Sequence, residues 1–223
     1  MARFDTSIPS ELLSGMRLAR QAIGRGELVV IPTDTVYGVA ADAFNPTAVQ
    51  RLLDAKGRGR TSPPPVLVPG VAALDALAET VPALVRDLID EFWPGGLTVI
   101  LRARSTLDWD LGDTGGTVAI RQPSDPVALE LLAETGPLAV SSANLTGQAP
   151  AATATEAEHQ LGESIAVYLD AGAVGSTYAH AETGSTIIDA TALDIPDGTL
   201  RIVRQGVVAR AEIERVVGAD RCA

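Results

Sequence analysis

The chain of 223 residues carries 28 acidic against 17 basic side chains, a formal charge of −11, with 46% hydrophobic and only 4% aromatic residues. That length fits one sizeable core built from Val, Leu, Ile and Ala, and the acidic excess opposes non-specific attraction to nucleic-acid phosphates, which draws on clustered positive charge. No apolar run reaches the length of a signal peptide or membrane span, so a soluble cytoplasmic protein is expected; one cysteine excludes an intrachain disulfide framework, and His159 and His180 without a Cys/His cluster argue against zinc.

Ser10 to Arg25 is predicted as a helix, with Leu12, Leu13, Met16, Ala19 and Ile23 on its apolar face and glycines near its end. Leu28 to Ile31 follows as a short apolar strand stopped by Pro32. A second helix starts after Asn45-Pro46, capped by the Asn and tolerant of Pro in its first turn, and runs to about Lys56. Val66 to Val68 reads as a strand entered from a Pro-rich loop. Residues 70–92 read as two helices, with Thr80 as the cap at the break and Pro82 in the following first turn.

Leu97 to Leu101 and Thr117 to Ile120 are the next strands, and Asp125 to Thr135 a helix with Ser124 as its expected cap. Leu138 to Val140 is a strand that delivers Ser141 to Asn144 at its end. A short helix at 155–161, strands at 165–169, 186–188 and 200–203, and a closing helix at 209–217 stopped by Gly218 complete the chain. Cys222 is expected as an exposed thiol on a frayed tail. Several strand-to-strand steps lack room for a helix, so the expected sheet is mixed, partly antiparallel and strongly twisted, with helices packed against it.

Four polar clusters lie at strand or helix ends. Pro32 to Gly38 offers the hydroxyls of Thr33 and Thr35 to a phosphate or carboxylate, or is a turn in which Asp34 bonds its own backbone. Lys56-Gly57-Arg58-Gly59-Arg60 sets three cations among two glycines, either to wrap an anion or as a solvated loop. Ser141-Ser142-Ala143-Asn144 presents hydroxyls, an amide and backbone N–H groups, or is a plain loop. Gly184-Ser185-Thr186 and Arg204-Gln205-Gly206 are either a fourth ligand cluster or ordinary turns. No Walker A loop, GxSxG elbow or GxGxxG fingerprint is present, and Gly95-Gly96 alone carries no reading.

Seven motifs in order resemble the YrdC/Sua5 family of threonylcarbamoyl-adenylate synthases, over about residues 15 to 217. They are Pro32–Gly38, Lys56-Gly57-Arg58, Phe92-Trp93-Pro94-Gly95-Gly96-Leu97-Thr98, Val118-Ala119-Ile120-Arg121-Gln122-Pro123, Ser141–Asn144, Ser185-Thr186-Ile187-Ile188-Asp189 and Arg204-Gln205-Gly206. The resemblance implies an open α/β fold, a twisted mixed parallel/antiparallel sheet with flanking helices and a concave, positively charged ligand-binding face. It implies threonine near Thr33, Lys56, Arg58 and Ser141, with Thr117 added on position, and ATP along Lys56, Arg58, Ser142, Asn144, Ser185 and Arg204. Lys56 and Arg58 are the expected catalytic pair, and Mg²⁺ is expected mainly on the ATP phosphates. Gly59 stands where the family often has Pro, and the place of a frequent family His falls near Pro69.

What the resemblance implies chemically is a reaction of threonine, bicarbonate or CO₂ and ATP that gives threonylcarbamoyl-AMP and pyrophosphate for tRNA N6-threonylcarbamoyladenosine. Handover to the tRNA threonylcarbamoyl-transferase machinery, without stable tRNA binding or membrane association, follows from it. The chain ends soon after Arg204-Gln205-Gly206 and so resembles the short, single-domain members. An RNA-binding module without catalysis and a carbamoyl-phosphate-dependent transferase are the competing readings.

Overall fold

The structure, a computed structural model, describes residues 1–176, 178, 184–195 and 197–223. His180 lies outside the described residues. The elements in chain order are β1 (Ala2–Asp5), α1 (Pro9–Gly24), β2 (Val29–Ile31), β3 (Gly38–Asp42), α2 (Pro46–Ala55), β4 (Val66–Leu67), α3 (Val71–Leu77) and α4 (Ala83–Phe92). There follow β5 (Leu97–Arg102), β6 (Thr117–Arg121), α5 (Pro126–Thr135), β7 (Leu138–Ser142), α6 (Ala154–Leu161), β8 (Val167–Asp170), β9 (Thr186–Asp189), β10 (Arg201–Arg204) and α7 (Arg210–Val217).

Among the described residues these strands form one sheet in the order β1-β8-β2-β3-β7-β4-β6-β5-β9-β10. The β1–β8, β2–β8, β4–β6 and β5–β9 pairs are parallel, and the β2–β3, β3–β7, β4–β7, β5–β6 and β9–β10 pairs antiparallel. This is the mixed, open sheet that the missing helix-length connections predicted.

The two faces follow from the register, because residues directly opposite each other point the same way. One row runs Ala41–Ala139–Val66–Ile120–Val99–Ile188 across six strands. Its face is buried along its length. Leu74 and Leu77 of α3, Val85, Leu88 and Ile89 of α4 and Ile213 and Val217 of α7 pack on one half. Leu52 and Leu53 of α2 and Ala154, Ala157 and Leu161 of α6 pack on the other. On the opposite face α1 and α5 cover only the first half, placing Met16, Ala19, Ile23, Leu131 and Leu132 against Val29, Ile31, Val140 and Leu169. The second half of that face, carrying Thr98, Ile100, Ala119, Arg121 and Ile187, lines a cleft instead.

Several expectations need correction. β1 and β3 were not foreseen, and β7 extends through Ser141 and Ser142, which are strand residues rather than part of the following turn. The cap of α5 is Asp125, whose carboxylate accepts from the N–H groups of Val127 (2.9 Å) and Ala128 (3.0 Å), not Ser124. α4 begins after Pro82 with no side-chain cap, because the Thr80 hydroxyl donates to Asp194 instead. Cys222 is buried, since the C-terminal segment folds back along Leu200, whose N–H donates to the Arg221 carbonyl at 2.9 Å. No helix among the described residues is long and apolar enough to cross a membrane.

Candidate active site

A cleft of about 310 Å³ lies on the uncovered half of the sheet, within the size range of small-molecule sites. Its walls are apolar at Leu67, Ile100, Leu111, Val118, Val140 and Ile187 and along Pro63 to Pro65. Into it converge Thr33, Arg58, Thr117, Ser141, Ser142, Ser185 and Arg204, seven of the nine expected ligand residues, together with Thr35, Thr98 and Arg121. Lys56 and Asn144 do not line it.

Each element places its side chain for a local reason. α2 is capped by Asn45, whose side chain accepts from Ala48 N–H at 3.1 Å, a bond of about 1 kcal/mol. The helix ends on Gly57 at φ 59°, a left-handed position that Gly takes without a Cβ penalty. Gly57 N–H then donates to Asp54 O at 3.0 Å and Arg58 N–H to Leu53 O at 2.8 Å, a Schellman ending. That ending turns Arg58 toward β7, where its guanidinium donates to Ser141 Oγ at 3.0 Å. Burial pushes the Arg58 pKa down from its ordinary value.

Lys56 is 3% exposed, and its ammonium donates to the carbonyls of Ser142 and, at 2.7 Å, of Asn144. It therefore pins the end of β7 from behind the cleft. Burial first, and the neighbouring Arg58 second, push its pKa down to about 8. The Asn144 amide donates to the Leu145 and Gln148 carbonyls at 2.8 and 2.9 Å, shaping the same turn from within.

At the far side, the β10 register shifts between Ile202 and Arg204, so that Val203 and Arg204 both face the cleft opposite Ile187. Such a bulge re-aims side chains at a sheet edge. Arg204 donates to the Ser185 carbonyl at 3.1 and 2.7 Å and to Ser185 Oγ at 3.1 Å, and Ser185 Oγ lies 2.8 Å from Thr98 Oγ1. Burial first, then Arg121 and Arg58, push the Arg204 pKa down. Three guanidinium groups, of Arg58, Arg121 and Arg204, thus line one cavity in a chain whose total charge is strongly negative.

The turn after β2 differs from the simple Asx reading. Thr33 Oγ1 accepts from the N–H groups of Thr35 and Val36, each at 3.2 Å, and donates to the Val36 carbonyl at 2.6 Å, so Thr33 holds the turn. Asp34 instead reaches across the sheet to Arg121 at 2.7 Å and accepts from Ser124 N–H at 2.9 Å. Thr117 Oγ1 donates to the Thr114 carbonyl at 2.8 Å. Sequence reasoning gave Arg121 no role: the available signal was its place at the end of an apolar strand, but its partner stands 87 positions earlier.

Comparison with known proteins gives consistent findings. The profile of the Sua5/YciO/YrdC family, described as telomere recombination, matches residues 21–206. A Mycobacterium tuberculosis protein provisionally named a threonylcarbamoyl-AMP synthase is 46% identical over 97% of this chain and 95% of its own length. The Bacillus subtilis threonylcarbamoyl-AMP synthase is 34% identical over 90% of this chain, which spans 56% of that longer protein. The structure of Pyrococcus abyssi Sua5 complexed with L-threonine superposes with a TM-score of 0.85 at 29% identity, covering 100% of this chain and 62% of the other.

Proposed function

Because the chain belongs to the Sua5/YciO/YrdC family, we propose that it condenses L-threonine, bicarbonate or CO₂ and ATP into threonylcarbamoyl-AMP and pyrophosphate, supplying the activated group for tRNA N6-threonylcarbamoyladenosine. The observation that carries this reading is the convergence of Arg58, Arg121 and Arg204 with the hydroxyls of Thr35, Ser141, Ser142 and Ser185 on a single cleft. Relatives named for this activity support it.

The threonine amine adds to CO₂ and releases a proton to solvent, leaving an N-carboxylate whose oxygen bonds to the α-phosphorus of ATP as the bond from that phosphorus to the departing pyrophosphate breaks. Both partners are anions and the nucleophile is weak, so positioning and charge neutralisation are the main tasks. Arg58 and Arg204, on opposite sides of the cleft, offset the carboxylate and phosphate charges with paired N–H donors. Thr33, Thr117 and Ser141 shape the threonine end, while Ser142 and Ser185 bond the nucleotide. Lys56 and Asn144 act one layer behind by fixing the carbonyls and turn after β7.

Among the described residues no group of three or more His, Cys, Asp or Glu side chains stands ready for a metal ion. We propose that Mg²⁺ enters on the ATP phosphates, where it would offset their charge, and that the chain's own residues supply the orientation. We assign the protein to the cytoplasm as a single domain over residues 1–223, passing its labile product to the tRNA-modifying transferase.

The test is pyrophosphate release with threonine, bicarbonate and Mg·ATP, set beside a gel shift with tRNA. Release that depends on threonine supports the reading. Release that ignores threonine, or tight tRNA binding with no release, sinks it.

A further inference from the structure

We infer that Asp34 and Tyr178 are positioning residues that hold the Arg121 guanidinium rigid at the floor of the cleft. The inference rests on the proposed reaction for its purpose, but not for its geometry. Arg121 is 6% exposed and yet lines the cleft. Its Nε donates to the Gly95 carbonyl at 2.8 Å, Nη1 to Thr35 Oγ1 at 3.0 Å, and Nη2 lies 2.7 Å from Asp34 Oδ1. Two nitrogens of the fork are thereby hydrogen-bonded and the third, Nη2, is held by its charge contact alone, all by residues of two segments, the turn after β2 and the loop that precedes β5.

Asp34 is itself fixed. It is 6% exposed, accepts from Ser124 N–H at 2.9 Å on Oδ1, and accepts from the Tyr178 hydroxyl at 3.2 Å on Oδ2. Burial first, then the Asp34 charge, push the Tyr178 hydroxyl pKa up, so it remains a donor.

Gly95 and Gly96, part of the third motif but without a reading of their own in the sequence, pack against Tyr178. A Cβ on Gly95 would stand 3.1 Å from the Tyr178 hydroxyl and 2.6 Å from the Phe92 carbonyl; one on Gly96 would stand 3.2 Å from that hydroxyl and 2.2 Å from Val207. The two glycines leave room for Tyr178 to reach Asp34.

The consequence separates Arg121 from its two neighbours in the cleft. Arg58 and Arg204 are held by hydroxyls and a carbonyl, so their charges are available to anionic reactants. The Arg121 charge is balanced by Asp34, and its value lies in a fixed direction, at no reorganisation cost when reactants bind.

Two readouts test this on the full chain. The first needs no substrate: hydrogen exchange of the Arg121 Nε–H, assigned by its loss in Arg121→Lys, should be slow in the parent and accelerate by about tenfold or more in Asp34→Asn and in Tyr178→Phe. Unchanged exchange in both variants overturns the inference. The second is a double-mutant cycle on kcat and KM for pyrophosphate release. Asp34→Asn should lower kcat/KM by about tenfold alone and add nothing in an Arg121→Gln background, and losses that multiply overturn the inference. Should Asp34→Asn fail to fold, Tyr178→Phe, which removes a single hydroxyl, carries both readouts. Slow parent exchange, accelerated in the variants, in a protein that releases no pyrophosphate would leave the positioning standing and remove the proposed reaction.

Discussion

Replacing Arg58 by alanine takes away a half-buried guanidinium whose partner among the described residues is the Ser141 hydroxyl, at 3.0 Å. No buried carboxylate is left uncompensated, so the stability cost is that of one ordinary hydrogen bond, about 1 kcal/mol, much of it returned by water entering the cleft. The catalytic cost is larger, because a hydrogen bond to a charged ligand contributes about 1.5–3 kcal/mol. Converted to rate, that is a loss of roughly 10- to 150-fold in kcat/KM. Pyrophosphate release measured against varied threonine and varied ATP, with thermal unfolding of the same samples, separates the two costs. Arg58→Lys keeps the charge without the planar fork and should fall between parent and alanine. Activity within about twofold of the parent, in a variant that melts normally, would refute the role given to Arg58; so would a loss that simply follows a collapse in melting temperature.

Three further outcomes follow from the geometry. Lys56, with its pKa pushed down to about 8 from its ordinary 10.5, makes the unfolded chain bind more protons between those two values. Its contribution to stability therefore rises with pH across that window and is lost as pH falls through about 8; urea unfolding from pH 8 to pH 10 should show the rise, by up to the order of 3 kcal/mol, and Lys56→Met should flatten it. A Cβ at Gly206 would stand 2.4–2.5 Å from the backbone of Gly184 and Ser185, so Gly206→Ala should displace the Ser185–Arg204 contact and cost about 1–3 kcal/mol by denaturant unfolding, with activity falling alongside; an unperturbed variant would contradict the close approach. The Cys222 thiol is buried, and burial pushes its pKa up, so alkylation of the native protein should be slow and become rapid on unfolding; rapid labelling of the native state would argue against the packed C-terminal segment.

What the sequence disclosed depended on whether the signal was local. Asn45 followed by Pro46 marks the start of α2 because both the cap and the missing N–H act within one turn. Hydroxyl-rich segments after apolar runs marked the cleft, since strands that cross a sheet present their ends together. β3 escaped notice because Gly-Val-Ala-Ala-Asp has weak strand propensity and is held by β2 and β7 on either side. β1 has four residues and pairs with Val167 to Asp170, far along the chain.

The same distinction divides the site residues. Lys56 looks like an anion ligand beside Arg58, yet the two stand on either side of the left-handed Gly57, and the Lys56 amine meets carbonyls 86 and 88 positions away. The Asp34–Arg121 pair, the Val203 bulge and the burial of Cys222 are likewise long-range matters. No spacing rule reports them.

In the proposed reaction one cleft brings threonine, a one-carbon acid and the α-phosphate of ATP together. This is tested most directly by mass spectrometry of the purified protein's reaction with threonine, isotopically heavy bicarbonate and Mg·ATP. The expected product is an acyl-adenylate containing threonine and the heavy carbon, absent when any one of the three is left out and strongly reduced in Arg58→Ala. An adenylate of threonine's own carboxylate lacking the heavy carbon, or no adenylate at all from a protein that melts cooperatively, would contradict it.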